Sequence, residues 1–130
     1  MELTIELPPR EEQLAFNLER WEAHVRDPRL GLLDGRFETD CLGKLYFMPP
    51  PSVNHNNYAS EIMLRLHQLL GPRPSMECPV NTIAGVKVPD VVWFSPERHA
   101  QSAGMAAHTI APEICVEVVS PSNTVRELDA

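Results

Sequence analysis

A chain of 130 residues, 43% of them hydrophobic and 22% charged, has room for one packed core and not for two. No apolar run approaches the ~20 residues that cross a bilayer, and the start, Met1-Glu2-Leu3-Thr4-Ile5-Glu6, lacks the basic and apolar parts of a secretory signal. A cytoplasmic location and no membrane partner are therefore expected. The formal charge of −7 speaks against a general attraction to nucleic acid, but the acids crowd the ends: residues 1–40 carry −5, 41–98 carry +1 and 99–130 carry −3.

Pro8-Pro9 with Glu11 and Glu12 predicts a helix start, and Leu14, Leu18, Trp21 and Val25 predict its apolar face, ending near Asp27-Pro28. After a turn region at Gly31 to Gly35, Arg36-Phe37-Glu38 and Gly43 to Met48 read as a strand pair, stopped by Pro49-Pro50-Pro51. Ser52 or Asn54 can cap a second helix from about Asn56 to Leu70, with Tyr58, Ala59, Ile62, Leu66 and Leu69 inward and Gly71-Pro72 as its stop. Residues 75–83 and 86–94 read as antiparallel strands around Ala84-Gly85. Ser95 to Ala111 shows no clear period, 113–119 reads as a strand buried on both faces, and Ser120-Pro121-Ser122-Asn123 leads into the first turn of a helix at Thr124 to Leu128. This order predicts an α/β (α+β) fold, a mixed sheet flanked by helices.

Cysteines at 41, 78 and 115 are odd in number and form no C-x-x-C, which excludes a zinc ribbon or a redox motif and leaves reduced core thiols. The sharper signal is acidic. Asp90 lies in Val88-Pro89-Asp90-Val91-Val92-Trp93-Phe94 and Glu117 in Ile114-Cys115-Val116-Glu117-Val118-Val119. A carboxylate among such residues needs a compensating cation, arginine or lysine. Two in neighbouring strands would offer oxygen ligands to a hard divalent metal, which places their carboxylates within about 6 Å of each other. The competing structural reading pairs Glu117 with an arginine and leaves Asp90 capping the turn after Pro89.

Gly43-Lys44-Leu45-Tyr46-Phe47-Met48-Pro49-Pro50, His55 opening a helix, Val88-Pro89-Asp90-Val91-Val92 and Pro112-Glu113-Ile114-Cys115-Val116-Glu117-Val118-Val119-Ser120-Pro121-Ser122 occur in this order. Together they resemble the Uma-type restriction endonuclease family, within the PD-(D/E)XK nuclease superfamily, over roughly residues 31–128. The resemblance implies a restriction-endonuclease-like core, with residues 1–30 as an N-terminal helical segment and 31–130 as a partial restriction-endonuclease-like domain of what is one domain overall. It also implies a magnesium-dependent nuclease acting on DNA, manganese being a possible substitute. Asp90 matches the aspartate of the P-D motif and Glu117 the acid of the second motif; the Val118 carbonyl is implied as a third oxygen ligand. Phe37-Glu38 resembles the aromatic–Glu pair ahead of the G-x-L segment, which makes Glu38 a candidate third acid; its other reading is an exposed strand acid. His55 could look into the same cleft, while the plainer reading is a helix-start histidine bonded to the backbone.

The superfamily lysine two residues after the acid is replaced by Val119, and no lysine follows Lys87. Lys87, three residues before Asp90, projects to the opposite face unless a bulge intervenes. The alternative function is accordingly a degenerate or truncated nuclease-like domain that binds nucleic acid or a protein. The sequence also leaves strand 113–119 with only a stub of helix to cover it, so a homodimer or higher oligomer is expected. Asp90→Ala and Glu117→Ala are expected to abolish any nuclease activity while the fold is retained.

Overall fold

Amide side chains, not an apolar stripe, dock the first helix. In the computed structural model, which describes residues 2–4, 6, 8–33, 35–72, 74–102 and 104–119, α1 (Arg10–Val25) buries Gln13, Asn17 and Trp21. Gln13 donates to Asn17 (2.7 Å) and to the Cys41 carbonyl (2.8 Å), and Asn17 donates to the Thr82 carbonyl (2.6 Å). The expected face holds at Trp21 and is corrected elsewhere: Val25 is exposed, and in the first two turns the buried positions are Gln13 and Asn17, one residue before Leu14 and Leu18. Trp21 then stacks at a tilt on Phe37, 5.0 Å between ring centroids, in a core shared with Val86, Val88 and Ala107.

A 3-10 turn (Leu30–Leu32) leads to β1 (Arg36–Thr39), which pairs antiparallel with β2 (Leu45–Met48). Asp40 closes this hairpin by accepting from the Leu42 and Lys44 amides, both at 2.9 Å. The Ser52 hydroxyl caps α2 (Val53–Leu70) by accepting from the His55 amide at 3.1 Å, so the helix starts three residues earlier than expected. Only Ala59 of its predicted inner face is fully buried; Tyr58 and Leu69 are exposed.

The predicted hairpin 75–94 is present, broken at one point. β3 (Ser75–Met76) pairs with β6 (Val91–Trp93), and β4 (Val80–Thr82) pairs with β5 (Gly85–Lys87). Ser75↔Val92 and Val80↔Lys87 belong to one register, so the ladder keeps step across the gap. Pro79 and Pro89 lie within the gap, and a residue without an N–H cannot donate to a ladder. The break takes Asp90 out of regular pairing and leaves only its carbonyl to accept from the Glu77 amide (3.3 Å). Glu77 has φ 49°, the left-handed region that side chains seldom occupy.

A helix stands in the connection that lacked periodicity: α3 (Pro96–Gln101), with proline in its first turn and the Ser95 hydroxyl accepting from the Arg98 amide. β7 (Ile114–Val116) then pairs antiparallel with β6. It is not buried on both faces as expected: Ile114, Val116 and Val118 are half-buried, while Cys115, Glu117 and Val119 are exposed. Cys115 is thus no core thiol, although all three cysteines are free. The expected cap and helix at 120–128 lie outside the described residues. The α/β composition holds, with the sheet divided into three small pieces, β1-β2, β3-β6-β7 and β4-β5, antiparallel within each; parallel pairing enters at the isolated bridge Val80↔His108. No helix among the described residues is long and apolar enough to cross a membrane.

Gly85 joins the β4-β5 piece to the β1-β2 piece. Its φ of 115° suits glycine, and a Cβ there would stand 2.1 Å from the Thr39 carbonyl oxygen. The same strand end is tied to β1 by the Val86 amide on the Thr39 hydroxyl (3.0 Å). Gly85→Ala is therefore expected to cost more than about 2 kcal/mol in urea denaturation, because backbone, not a flexible side chain, would have to move.

Candidate active site

Asp90, freed from the ladder by the two prolines, is 2% exposed and takes donors from three distant parts of the chain. Arg36 Nη1 of β1 approaches Oδ1 at 2.9 Å, while His55 Nε2 from the first turn of α2 and the Val118 amide after β7 reach Oδ2 at 3.1 and 2.7 Å. Arg36 Nη1 also lies 3.9 Å from Glu77 Oε1. Burial by itself pushes the Asp90 carboxyl up, but the Val118 amide, the Arg36 guanidinium and a hydrogen bond with Glu117 outweigh it and hold the carboxyl below its ordinary value.

Glu117 behaves oppositely. Burial of its carboxyl, the Asp90 charge and the hydrogen bond the two carboxyls share push it up to about 8; Arg36 opposes this and Glu38 adds to it. The residue as a whole remains exposed, so water screens part of the repulsion. The register Val91↔Val116 thus sets the two acids singled out in the sequence side by side, each affecting the other's ionisation. The structural reading in which Glu117 takes an arginine is reversed, since the arginine pairs with Asp90.

The other candidates fall around this pair in different ways. Glu38 is half-buried and its carboxylate accepts from the Val88 amide, which fixes the chain two residues before Asp90. It is neither an exposed strand acid nor in direct contact with Asp90. His55 uses its ring on Asp90 and not on the backbone, contrary to the plainer reading; its Nδ1 is buried with no partner. Val118 contributes its amide to Asp90. The Lys87 ammonium donates to the Thr39 carbonyl at 3.0 Å. Sequence reasoning missed Arg36 and Glu77. Arg36 lies two residues before Glu38 on the same strand, and that alternation was the available signal; Glu77 carried none.

Among the described residues no three His, Cys, Asp or Glu side chains form a metal cage. The donor set nevertheless suits magnesium, which commonly uses one or two carboxylates and completes its shell with water and phosphate. The register Val91↔Val116, which sets Asp90 and Glu117 side by side on adjacent strands, supports this fit.

The two acids should show opposite linkage to folding. Glu117 has a raised folded-state value, so below about pH 4.5 it is protonated in both states and costs nothing; as pH rises toward about 8 the unfolded chain ionises first and stability falls. Asp90 is lowered, so its contribution is present above its unfolded value and is lost as pH falls through the folded one. Glu117→Gln should therefore remove the alkaline decline and raise stability by ~1 kcal/mol near pH 9, measured by denaturation across pH. Asp90→Ala should instead cost ~3 kcal/mol, because it strands the Arg36 charge and the Val118 amide.

A family model described as "Uma2: Putative restriction endonuclease" matches residues 13–130. No curated protein and no solved structure matches the chain. The matched span runs from within α1 through Asp90 and Glu117, and the resemblance carried by the P-D-V-V and E-V-V-S-P-S motifs is borne out: the chain belongs to the Uma2 family.

Proposed function

We propose that the protein is a divalent-cation-dependent endonuclease that hydrolyses DNA phosphodiester bonds, with Asp90 and Glu117 as the carboxylates that hold magnesium, or manganese in its place. The observation that carries this reading is the strand register Val91↔Val116, which sets a buried Asp90 and Glu117 next to each other, with the Asp90 charge among the causes that raise the Glu117 carboxyl to about 8. Magnesium, when bound, lowers the pKa of a water and offsets charge on the phosphoryl oxygens.

The chain's own residues supply the rest. Glu117 gives up its proton on cation binding, so binding strengthens with pH up to about 8. The Val118 amide and His55 Nε2–H orient Asp90 Oδ2, and Oδ1 is the atom that exchanges partners. Glu38 positions the Val88–Asp90 segment through the Val88 amide, and the Val118 carbonyl is proposed as a further oxygen ligand. His55 lies against Asp90 Oδ2 through Nε2 and keeps a buried Nδ1 without a partner, which makes it a further polar group at the proposed site.

A second reading is a nuclease-like domain that binds nucleic acid or a protein without cutting. One observation favours it: Lys87 is held on the Thr39 carbonyl, so no lysine among the described residues is seen to join the acid pair. Plasmid nicking separates the two. The nuclease reading predicts nicked product with magnesium or manganese and none with chelator, and a loss of at least about a hundredfold in Glu117→Gln. Binding of DNA in a gel shift with no cation-dependent nicking would support the second reading and overturn the first.

A homodimer is proposed as the working unit. Among the described residues β7 pairs on one side only, with β6, and an unpaired strand edge is a template for a second copy. Sedimentation across a concentration series should show a dimer; a monomer at the highest concentration would contradict it.

A further inference from the structure

Arg36 has a placement that an ordinary structural ion pair does not require. Its Nη1 stands between two carboxylates from different segments, 2.9 Å from Asp90 Oδ1 and 3.9 Å from Glu77 Oε1. The Glu77 backbone is fixed there by its left-handed conformation and by its amide on the Asp90 carbonyl, which keeps the half-exposed carboxylate near Arg36. Four acids gather in this region, Glu38, Glu77, Asp90 and Glu117. Lys87, the nearby fixed cation, has its ammonium on the Thr39 carbonyl. The cluster keeps an excess of negative charge with a monovalent cation already seated in it.

We propose that Arg36 is the resident counter-ion of this site: it occupies Asp90 Oδ1 while no divalent cation is bound, yields that oxygen to the cation, and turns its guanidinium to a phosphate oxygen of the nucleic acid. The inference rests on the cation site proposed above and adds the residue that controls its occupancy. The physical reason is competition for one oxygen. A guanidinium and a divalent cation that share a carboxylate repel each other strongly in a partly buried setting, while a planar guanidinium released beside a phosphodiester finds a partner of matching geometry. With side-chain exposure of 19%, Arg36 is open on one side and has somewhere to turn.

Manganese binding, followed by electron paramagnetic resonance of the free ion, tests the first half. Arg36→Met should bind manganese about tenfold more tightly than the unaltered protein, and Arg36→Lys should stay near it, because a positive charge is retained. A short DNA duplex in calcium buffer tests the second half, with affinity about tenfold weaker for Arg36→Met. Manganese affinity unchanged or weaker in Arg36→Met overturns the proposal and leaves the cation site standing. Absence of manganese binding in every protein overturns both. Should Arg36→Met fail to fold, the guanidinium nitrogen resonances of the unaltered protein decide the matter. They should shift as calcium is added; resonances that stay put while calcium binds would contradict the exchange.

Discussion

The Asp90 carboxylate is the constraint on which this structure turns. One nearly inaccessible anion is shared by β1 through Arg36, by α2 through His55 and by the segment after β7 through the Val118 amide. These partners lie between 28 and 54 residues away in sequence. A charge buried in this way is tolerated only when donors surround it. The anion therefore holds together three elements that belong to two different sheets and a helix start, and the place where they meet is the place where chemistry is proposed. Structure and function share the same atoms here, so a change at Asp90 cannot be read as a loss of chemistry alone.

Much of that arrangement was legible in the residues. An aspartate after proline between valines, and a glutamate in a β-branched strand, mark acids that need a partner, and they turn out to be partners of each other. The Ser52 cap, the stop at Gly71-Pro72 and the hairpin centred on Ala84-Gly85 were readable because turn and cap chemistry is local. The polar docking of α1 was not, since Gln13 and Asn17 bond to the Cys41 and Thr82 carbonyls, 28 and 65 residues away. Periodicity of apolar residues gives no sign of such contacts. α3 escaped notice because a six-residue helix capped by Ser95 is too short to show a period, although Ser-Pro-Glu at its start was a fair signal.

The misreading of the last strand has a physical cause as well. Ile114, Cys115, Val116, Val118 and Val119 form an apolar run, and such runs suit strands covered on both faces. Among the described residues β7 has cover on one face only, and the exposed face carries Cys115, Glu117 and Val119. That exposure keeps Glu117 within reach of solvent and of any cation arriving from it, while the half-buried face delivers the Val118 amide to Asp90. A two-sided strand would have sealed the acid pair.

The central claim is that Glu117 keeps its proton because its carboxyl is buried and the Asp90 charge lies beside it, and that a divalent cation would release that proton. Carboxyl carbon resonances of selectively labelled glutamate, followed across pH with and without magnesium, test this directly. The account predicts that Glu117 titrates near 8 in the absence of magnesium and far lower in its presence. A Glu117 carboxyl that titrates at the ordinary 4.5, or one whose midpoint magnesium leaves unmoved, would contradict it.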